Sequence, residues 1–488
     1  MTKQLQKLEL TWIGKGNEPQ IEPRILIEDP SKSFGDAKTE NMLINGDNLL
    51  ALRALEQNYS GMIKCIYIDP PYNINAAGIY EDNIEHSIWL SLMKPRLEIL
   101  KNLLSRDGVI FVQIDDYEMA YLQLVLDEVF GRYNRLNTIA VKMSEASGVK
   151  MSHANKRLPK LKEYILCYKK KEDFIFSKII KVPSEIWNDE YKTYLEDFTE
   201  EQRESLREYL DKDNTAIDDI MKVNSLLQSA KIYPVSKKLL DIGITNQKEI
   251  IEWKFKNAWR IIQAVGSSSV KNYAMEQPIL NQDISALLSP TGLIYLYYTN
   301  FNRETKQPRI QILFADDNLM QNPGDFWTDI KTTGGVGQEG GVYFPNGKKP
   351  ELLIQRIIEL ASKKGDWVLD SFLGSGTTAA VAQKLERKWI GIELGEQANT
   401  HCLPRLKSVV DGSDQSGISK AIDWPGGGGF KFYSLAPSLI QKDKYGNEII
   451  NPVYNANMLA AAMAKQEGFR YAPHESIYWK QGNSSEKD

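Results

Sequence analysis

The chain has 488 residues, of which 42% are hydrophobic and 25% charged, and its formal net charge at pH 7 is -4. This length predicts two to four domains, and the composition is that of a soluble globular protein. The acidic balance excludes a general polyanion binder. No apolar run approaches the ~20 residues of a membrane span, and no secretory signal is evident. We therefore expect a cytoplasmic protein without membrane contact.

Cysteines and histidines are few and scattered. The three cysteines, Cys65, Cys167 and Cys402, form no C-x-x-C pair, which fits a reducing compartment. The four histidines are not placed at metal-ligand spacing. We expect no zinc site and assign no metal ligand.

Short apolar runs and helical segments alternate from residue 41 onwards. The runs NMLIN, MIKCIYID, GVIFVQID and EYILCYKK predict strands, whereas NLLALRAL and HSIWLSLMKPRLEILKNLL predict helices. Such alternation is typical of a parallel α/β sheet. We assign residues 1–40 to an N-terminal arm and residues 41–170 to a first α/β half.

The pattern changes near residue 181, and charge is separated by region. Residues 142–181 hold eleven Lys/Arg against four Asp/Glu, whereas residues 189–220 hold twelve acids against four bases. The run YLEDFTEEQRESLREYLDKD predicts a charged surface helix. We assign residues 171–340 to a region inserted between two α/β halves.

The α/β pattern returns near residue 350 as helix, strand, Gly-rich turn, helix and strand. We assign residues 341–410 to this second half. The Gly-rich stretch PGGGGF then leads into a C-terminal extension, residues 411–488.

The Gly-rich turn of the second half predicts a cofactor site. Gly374 and Gly376 follow a predicted strand, precede a helix, and let the backbone approach a ligand at the helix N-terminus. Glu393 ends the next strand, where an acid can accept hydrogen bonds from ribose hydroxyls. An adenosine-type cofactor is therefore expected. Because Ala379 completes a relaxed dinucleotide fingerprint, an NAD-dependent oxidoreductase remains an alternative, whereas no P-loop occurs.

The sequence Asp69-Pro70-Pro71-Tyr72 ends another predicted strand, at the edge where α/β sheets bind ligands. Proline fixes the backbone and has no N–H donor, which leaves the carbonyl of Pro70 and the carboxylate of Asp69 as acceptors. Two acceptors beside the ring of Tyr72 suit an exocyclic amino group on a flat heterocycle. A dehydrogenase would need a proton donor that we cannot place.

The D-P-P-Y motif followed by the F-x-G-x-G motif resembles the amino-group DNA methyltransferases of the permuted β class. The sequences around DPPYN, GVIFVQIDDYE and GGGFKFYSL are most similar to those of modification subunits of type III restriction–modification systems. The resemblance implies a Rossmann-like fold with permuted motif order, S-adenosyl-L-methionine as cofactor, and a target-recognition region in the insert. It also implies double-stranded DNA as substrate, a homodimer and a helicase–nuclease restriction partner.

The D-P-P-Y form of the motif favours the N6 amino group of adenine over the N4 amino group of cytosine. The target base must be flipped out of the duplex to be reached. A solitary methyltransferase without a restriction partner is an alternative within the same class.

The resemblance also assigns roles to residues. Asp69 and the Pro70 carbonyl would bind the amino group, and Tyr72 would stack on the base, so the catalytic set is Asp69, Pro70, Pro71 and Tyr72. Glu393 would bind ribose, and Asp47 would contact the adenine part or the loop that holds it. Lys349 and Pro350 would lie near the cofactor's carboxylate end. The complete cofactor set is Asp47, Lys349, Pro350, Asp370, Phe372, Gly374, Gly376, Thr377 and Glu393. Asp47 can also be read as a helix N-cap.

Basic and aromatic residues outside these motifs are candidate DNA contacts. One group suits phosphate contacts and comprises Lys156, Arg157, Lys160 and Lys162. The other lies in WKFKNAWR and comprises Trp253, Lys254, Lys256 and Arg260. The alternative for WKFKNAWR is an amphipathic helix or strand with core tryptophans.

Overall fold

The structure is a computed structural model that describes residues 9–17, 21–73, 85–144, 158–171, 173–184, 186–210, 217–278, 280–330, 332, 335–344, 347–477, 479 and 482–484. Its strands are β1 (Leu26–Glu28), β2 (Phe34–Gly35), β3 (Met42–Asn45), β4 (Ile63–Ile68), β5 (Leu104–Ile114), β6 (Arg135–Lys142), β7 (Lys162–Lys169), β8 (Val182–Pro183), β9 (Thr193–Glu196), β10 (Lys231–Pro234), β11 (Ile261–Gly266), β12 (Ile284–Leu288), β13 (Ile294–Tyr298), β14 (Arg309–Phe314), β15 (Met320–Gln321), β16 (Phe326–Trp327), β17 (Trp367–Asp370), β18 (Lys388–Glu393), β19 (Gly429–Leu435), β20 (Ile440–Lys442), β21 (Glu448–Ile450), β22 (Phe469–Tyr471) and β23 (Gly482–Ser484).

The α-helices are α1 (Asn48–Tyr59), α2 (His86–Leu103), α3 (Met119–Leu126), α4 (Glu200–Leu210), α5 (Ile217–Leu227), α6 (Val235–Asp241), α7 (Gln247–Lys256), α8 (Ser268–Met275), α9 (Glu351–Ala361), α10 (Thr377–Lys384), α11 (Leu403–Val410) and α12 (Ala456–Gln466). Within the described residues, none of the helices combines the length and the hydrophobicity of a membrane-spanning segment.

The chain divides into two compact units. Residues 1–180 and 323–488 form unit 1, and residues 181–322 form unit 2. Unit 2 lies inside the predicted insert but is shorter at both ends. The C-terminal difference arises because β16 pairs in parallel with β6 of unit 1, where Trp327 is buried.

Unit 1 is built on one 11-stranded sheet with the order β1-β19-β3-β18-β17-β4-β5-β7-β6-β16, and β2 pairs with β19. The consecutive pairs from β19 to β5 are all parallel. Neighbouring core residues of one strand face different clusters: Cys65 packs with α9 to α11, and Ile66 packs with α1 to α3. Helices therefore cover both faces, which explains why these strands are almost continuously apolar.

The expectation of a parallel sheet is wrong for β7. This strand pairs antiparallel with both β5 and β6, and Lys162 lies opposite Lys142 at one end of the β6–β7 pair. The parallel neighbours β4 and β5 are joined through the crossover helix α2, whereas an antiparallel pair needs no crossover helix. The sheet is therefore mixed, with a parallel centre.

Unit 2 contains a six-stranded antiparallel sheet in the order β10-β9-β11-β14-β13-β12, and α4 and α5 pack on it. The predicted charged helix is partly wrong, because its first residues form β9. The helix starts later at a capping box, in which Thr199 Oγ1 accepts from Gln202 N–H and Gln202 Oε1 accepts from Thr199 N–H.

The helix that follows is not simply a solvated surface element. Arg203 of α4 is 1% exposed and donates to Asp316 and Asp317, at 2.9 Å and 2.6 Å from Nη2. Its guanidinium also lies 4.0 Å from the ring centroid of Phe314. A buried cation thus joins α4 to the end of β14.

Arg203→Ala should destabilise the protein by ~3 kcal/mol, because it leaves acidic partners without their buried cation. Arg207 pairs with the same two carboxylates but is 43% exposed. Arg207→Ala should therefore cost less than ~1 kcal/mol. Urea denaturation of the full chain, followed by circular dichroism and limited proteolysis, would measure both. Equal losses would show that the burial of Arg203 carries no special stability.

Candidate active site

Four loops with candidate site residues leave the sheet at one edge. The strands β3, β18, β17 and β4 are adjacent and parallel, so their carboxyl ends lie side by side. Asp47 follows β3, Glu393 ends β18, the Gly-rich loop follows β17, and Asp69 follows β4. The structure therefore brings together residues that are more than 300 positions apart in the sequence, such as Asp47 and Glu393.

Asp69 is held by a lysine from the second half of the chain. Lys349 Nζ donates to Asp69 Oδ2 at 2.7 Å, and the Asp69 side chain is 18% exposed. Burial raises the pKa of the Asp69 carboxyl, and the charge of Lys349 opposes that shift. We expected Lys349 near the cofactor's carboxylate end, and its ion pair with Asp69 was not predicted. Pro350 is buried and immediately precedes α9.

The hydroxyl of Tyr72 lies between two carboxylates. Tyr72 Oη is 2.7 Å from Asp69 Oδ1 and 2.8 Å from Glu163 Oε2. Gln113 Nε2 donates to the same Glu163 oxygen at 2.6 Å, and Tyr67 donates to Gln113 Oε1 at 2.7 Å. Glu163 and Gln113 were not predicted from the sequence. A sequence pattern that could have indicated them is a polar residue in an otherwise apolar strand: Gln113 lies within β5 and Glu163 near the start of β7.

The backbone of the D-P-P-Y loop is fixed from both sides. Trp89 Nε1 of α2 donates to the Pro71 carbonyl at 2.9 Å. Pro70 is buried, and Asn73 adopts a left-handed conformation with φ of 56°. Asn73 Nδ2 donates to Glu118 Oε1 at 2.7 Å, which satisfies the amide in that conformation. The loop therefore presents Asp69 and Tyr72 from a rigid base.

The Gly-rich loop is anchored by two acids. Asp370 Oδ1 accepts from Phe372 N–H at 2.9 Å and Oδ2 accepts from the Thr378 hydroxyl at 2.5 Å. Glu393 Oε2 accepts from Gly374 N–H at 2.7 Å, so one oxygen of the predicted ribose ligand supports the loop. Burial raises the pKa of Asp370 to about 7. The Phe372 ring is partly buried against the α1 to α3 cluster.

A buried charge network lies behind this loop. Gly376 has φ of 82°, a conformation that favours glycine, and precedes α10. Arg405 Nη1 donates to Thr377 Oγ1 at 2.7 Å, and Nη2 donates to Glu351 Oε1 at 2.8 Å. Lys384 also pairs with Glu351, and all three charged side chains are 0% exposed. The hydroxyl of Thr377 thus supports the loop from behind.

Asp47 is the N-cap of α1, because its Oδ1 accepts from Leu49 and Leu50 N–H at 2.9 Å and 3.1 Å. Its neighbour Asn48, which the sequence analysis missed, donates to the Ser371 carbonyl at 2.7 Å. Capping uses Oδ1 of Asp47, and Oδ2 accepts from Arg96 Nη2 at 3.4 Å. Because each carboxylate oxygen can accept more than one hydrogen bond, a ligand role is compatible with both contacts.

The candidate DNA contacts fall into three groups. Lys156 and Arg157 lie outside the described residues. In unit 1, Lys160 pairs with Asp115 at 3.1 Å and Lys162 pairs with Asp116 at 2.9 Å. These pairs are at least partly exposed, so DNA contact stays a prediction.

In unit 2, the four candidates of WKFKNAWR lie on or just after α7. Trp253 is partly buried and stacks on Tyr194, and Lys254 pairs with Asp189 at 3.0 Å. Arg260 lies over the Tyr194 ring at 4.7 Å, whereas Lys256 is exposed. The alternative of an amphipathic helix with a core tryptophan describes Trp253 well, and DNA contact by the others stays a prediction.

No cluster of three or more His, Cys, Asp or Glu that could hold a metal ion occurs among the described residues.

The pKa of Asp370 predicts how stability depends on pH. A carboxyl that titrates near pH 7 when folded and near pH 4 when unfolded binds more protons in the folded state between these values. Its contribution to stability is therefore lost as pH rises towards about 7. Asp370→Asn keeps an acceptor for Phe372 and should gain stability relative to wild type by up to roughly 3 kcal/mol between about pH 5 and pH 8. Urea denaturation across this range would measure the difference, and a constant difference would contradict the assignment.

The sequence is similar to those of known proteins. The family model for DNA methylases (N6_N4_Mtase) matches residues 63–401. The relative named "Probable type III restriction-modification enzyme HindVI Mod subunit", from Haemophilus influenzae, is 37% identical over 82% of this chain and 54% of its own length. The type III EcoPI Mod subunit of Escherichia phage P1 is 27% identical over 78% of this chain and 62% of its own length.

The chain thus spans about half to three fifths of the length of these two relatives. Among solved structures, the cytosine-N4-specific PvuII DNA methyltransferase aligns with 79% of this chain and 91% of its own, at 14% identity and a TM-score of 0.36. The family model covers more than half of the sequence and both halves of the site. The chain therefore belongs to the DNA methylase family.

Proposed function

We propose that this chain is a site-specific DNA methyltransferase that uses S-adenosyl-L-methionine to methylate the N6 amino group of a flipped-out adenine. One observation carries the proposal. The loop from Asp69 to Tyr72 and the loop with Gly374 and Gly376 follow β4 and β17, which are adjacent parallel strands. An acceptor site for an amino group thus adjoins a nucleotide-type glycine loop.

The cofactor site fits the residues that are present. Glu393 lies at a strand end, and its oxygens accept from Gly374 N–H at 2.7 Å and Gly395 N–H at 3.4 Å. Because each carboxylate oxygen can accept more than one hydrogen bond, these contacts are compatible with bonds from ribose hydroxyls. Gly374 and Gly376 leave the loop without side chains at the N-terminus of α10. Asp47 would face the adenine part. When bound, S-adenosyl-L-methionine supplies a methyl group on a positively charged sulfur.

Asp69 is suited to activate a weak nucleophile. The lone pair of an adenine amino nitrogen is delocalised into the ring, and an N–H bond to Asp69 would favour a more tetrahedral nitrogen. Lys349 balances the carboxylate charge, so the acceptor is set in place before the substrate arrives. The Pro70 carbonyl would take the second hydrogen, and Tyr72 would stack on the base.

The amino group of adenine can reach Asp69 only when the base is flipped out of the DNA duplex. Flipping costs a few kcal/mol, which stacking and pocket hydrogen bonds offset. The rigid hold on the D-P-P-Y loop, through Trp89 and Glu118, supports such a pocket because its groups need little ordering on binding.

The proposed partners rest on the resemblance of the sequence to type III modification subunits, the class that the names of both relatives give. By analogy with type III Mod subunits, we propose that the chain acts on duplex DNA, forms a homodimer and serves a restriction subunit with helicase and nuclease activity. The adenine target rests on the D-P-P-Y form of the motif. N4-methylcytosine as product would keep the reaction class and change the base.

The reaction can be tested with labelled S-adenosyl-L-methionine and unmethylated genomic DNA of mixed sequence. Wild type should yield N6-methyladenine on nucleoside analysis. Asp69→Ala should lower the single-turnover rate by ~10²–10³-fold, since it removes a preorganised acceptor. Cofactor binding by this variant, measured by calorimetry, should stay within about threefold of wild type. Transfer at the wild-type rate by Asp69→Ala would contradict its role.

The cofactor assignment predicts a binding defect for Glu393. Glu393→Ala should weaken S-adenosyl-L-methionine binding by roughly 10–100-fold, because hydrogen bonds to a charged group contribute about 1.5–3 kcal/mol. Glu393→Gln keeps an acceptor for Gly374 and should lose less. The control Glu386→Ala removes an exposed partner of Lys364 and should bind like wild type. Wild-type affinity of Glu393→Ala in calorimetry would refute the assignment.

A further inference from the structure

The two contacts of the Tyr72 hydroxyl need more protons than Tyr72, Asp69 and Glu163 supply in their usual protonation states. Its oxygen lies 2.7 Å from Asp69 Oδ1 and 2.8 Å from Glu163 Oε2. Both separations are hydrogen-bond distances, and each bond needs one proton. The phenol supplies only one, and ionised carboxylates are acceptors only. With both acids ionised, one contact would be a repulsion between two oxygen lone pairs.

Neighbouring donors do not resolve this shortage. Lys349 Nζ donates to the other oxygen of Asp69, Oδ2, and lies 3.7 Å from Glu163 Oε2. Gln113 Nε2 donates to Glu163, and its orientation is fixed because its carbonyl oxygen accepts from Tyr67. None of these donors supplies a proton to the second Tyr72 contact.

We propose that Glu163 is a positioning residue whose charge makes the Asp69–Tyr72–Glu163 cluster retain one extra proton at rest. The inference rests on the proposed function for its catalytic meaning. Asp69 must be ionised to take the proton that N6 sheds when the N–CH₃ bond forms and the S–CH₃ bond breaks, leaving a neutral thioether. The cluster must therefore release its extra proton before transfer.

The surrounding charges agree with this reading. Among the residues that the structure describes, the titratable groups that face the cluster are Lys349 before α9, Tyr67 on β4 and Asp370 at the end of β17. One cation stands against the carboxyls of Asp69, Glu163 and Asp370. Burial raises the pKa of Asp69, and the charge of Glu163 raises it further. Glu163 thus acts on the reaction through Asp69 and Tyr72.

The first test is the pH dependence of single-turnover methyl transfer to unmethylated genomic DNA. The rate of wild type should fall at low pH, and we call this part of the pH–rate profile the acid limb. Glu163→Gln keeps the shape and an acceptor for Tyr72 but removes the charge, so its acid limb should move down by about one pH unit or more. The charge-preserving Glu163→Asp should stay near the wild-type limb. An acid limb of Glu163→Gln at the wild-type pH would overturn the proposal.

The matched control is Glu98→Gln, which removes a carboxylate that is exposed on α2 and pairs with Lys94. Its acid limb should coincide with that of wild type. A purely structural role of Glu163 would lower the rate at every pH without moving the limb, and this outcome also contradicts the proposal.

The second test needs no activity. The infrared C=O stretch of protonated carboxyl groups, recorded in deuterated buffer at neutral pH, should be stronger in wild type than in Glu163→Gln. Both proteins should carry Asp370→Asn, because the charge of Asp69 also raises the pKa of the Asp370 carboxyl and its signal would not cancel. If the two spectra did not differ in this C=O band, the proposal that the cluster retains an extra proton would be wrong. If wild type transferred no methyl group to any DNA, the proposed function would fail, and the infrared result would still decide the protonation of the cluster.

Discussion

The site depends on the adjacency of four parallel strands. β3 and β4 come from the start of the chain and β17 and β18 from its second half, yet β18 and β17 lie between β3 and β4 in the sheet. Because parallel strands end at one edge, this order alone brings Asp69 next to the Gly-rich loop. A long insertion between the halves leaves the adjacency intact, since residues 181–322 form a compact unit of their own.

Paired buried charges fix the two functional loops within that frame. Lys349 holds Asp69 across 280 residues of sequence, and Arg405 joins Glu351 to the loop at Thr377. Buried ion pairs contribute little net stability, because desolvation offsets their attraction. Their geometry is nevertheless demanding, since an unpaired member would be costly. We therefore regard these pairs as devices that specify loop position rather than as sources of stability.

Local patterns predicted much of this architecture, and long-range contacts account for the misses. Apolar runs located the central strands because both of their faces are buried, and glycines and prolines located the loops. The antiparallel direction of β7 and the partner of Lys349 depend on tertiary neighbours, which periodicity does not encode. Glu163 was overlooked because one acid at the start of a strand usually faces solvent. The start of α4 was readable, since Thr199 and Gln202 form a capping box.

The acceptor at Asp69 is already bonded without being blocked. Each carboxylate oxygen offers two lone-pair directions, and Lys349 and Tyr72 each occupy one direction on different oxygens. An incoming amino group can therefore bond to Asp69 without displacing either neighbour. Those neighbours hold the carboxylate in one orientation, so the ordering cost is met during folding rather than during the reaction. A site that binds a base flipped out of the duplex needs less ordering of its own groups when this geometry is already fixed.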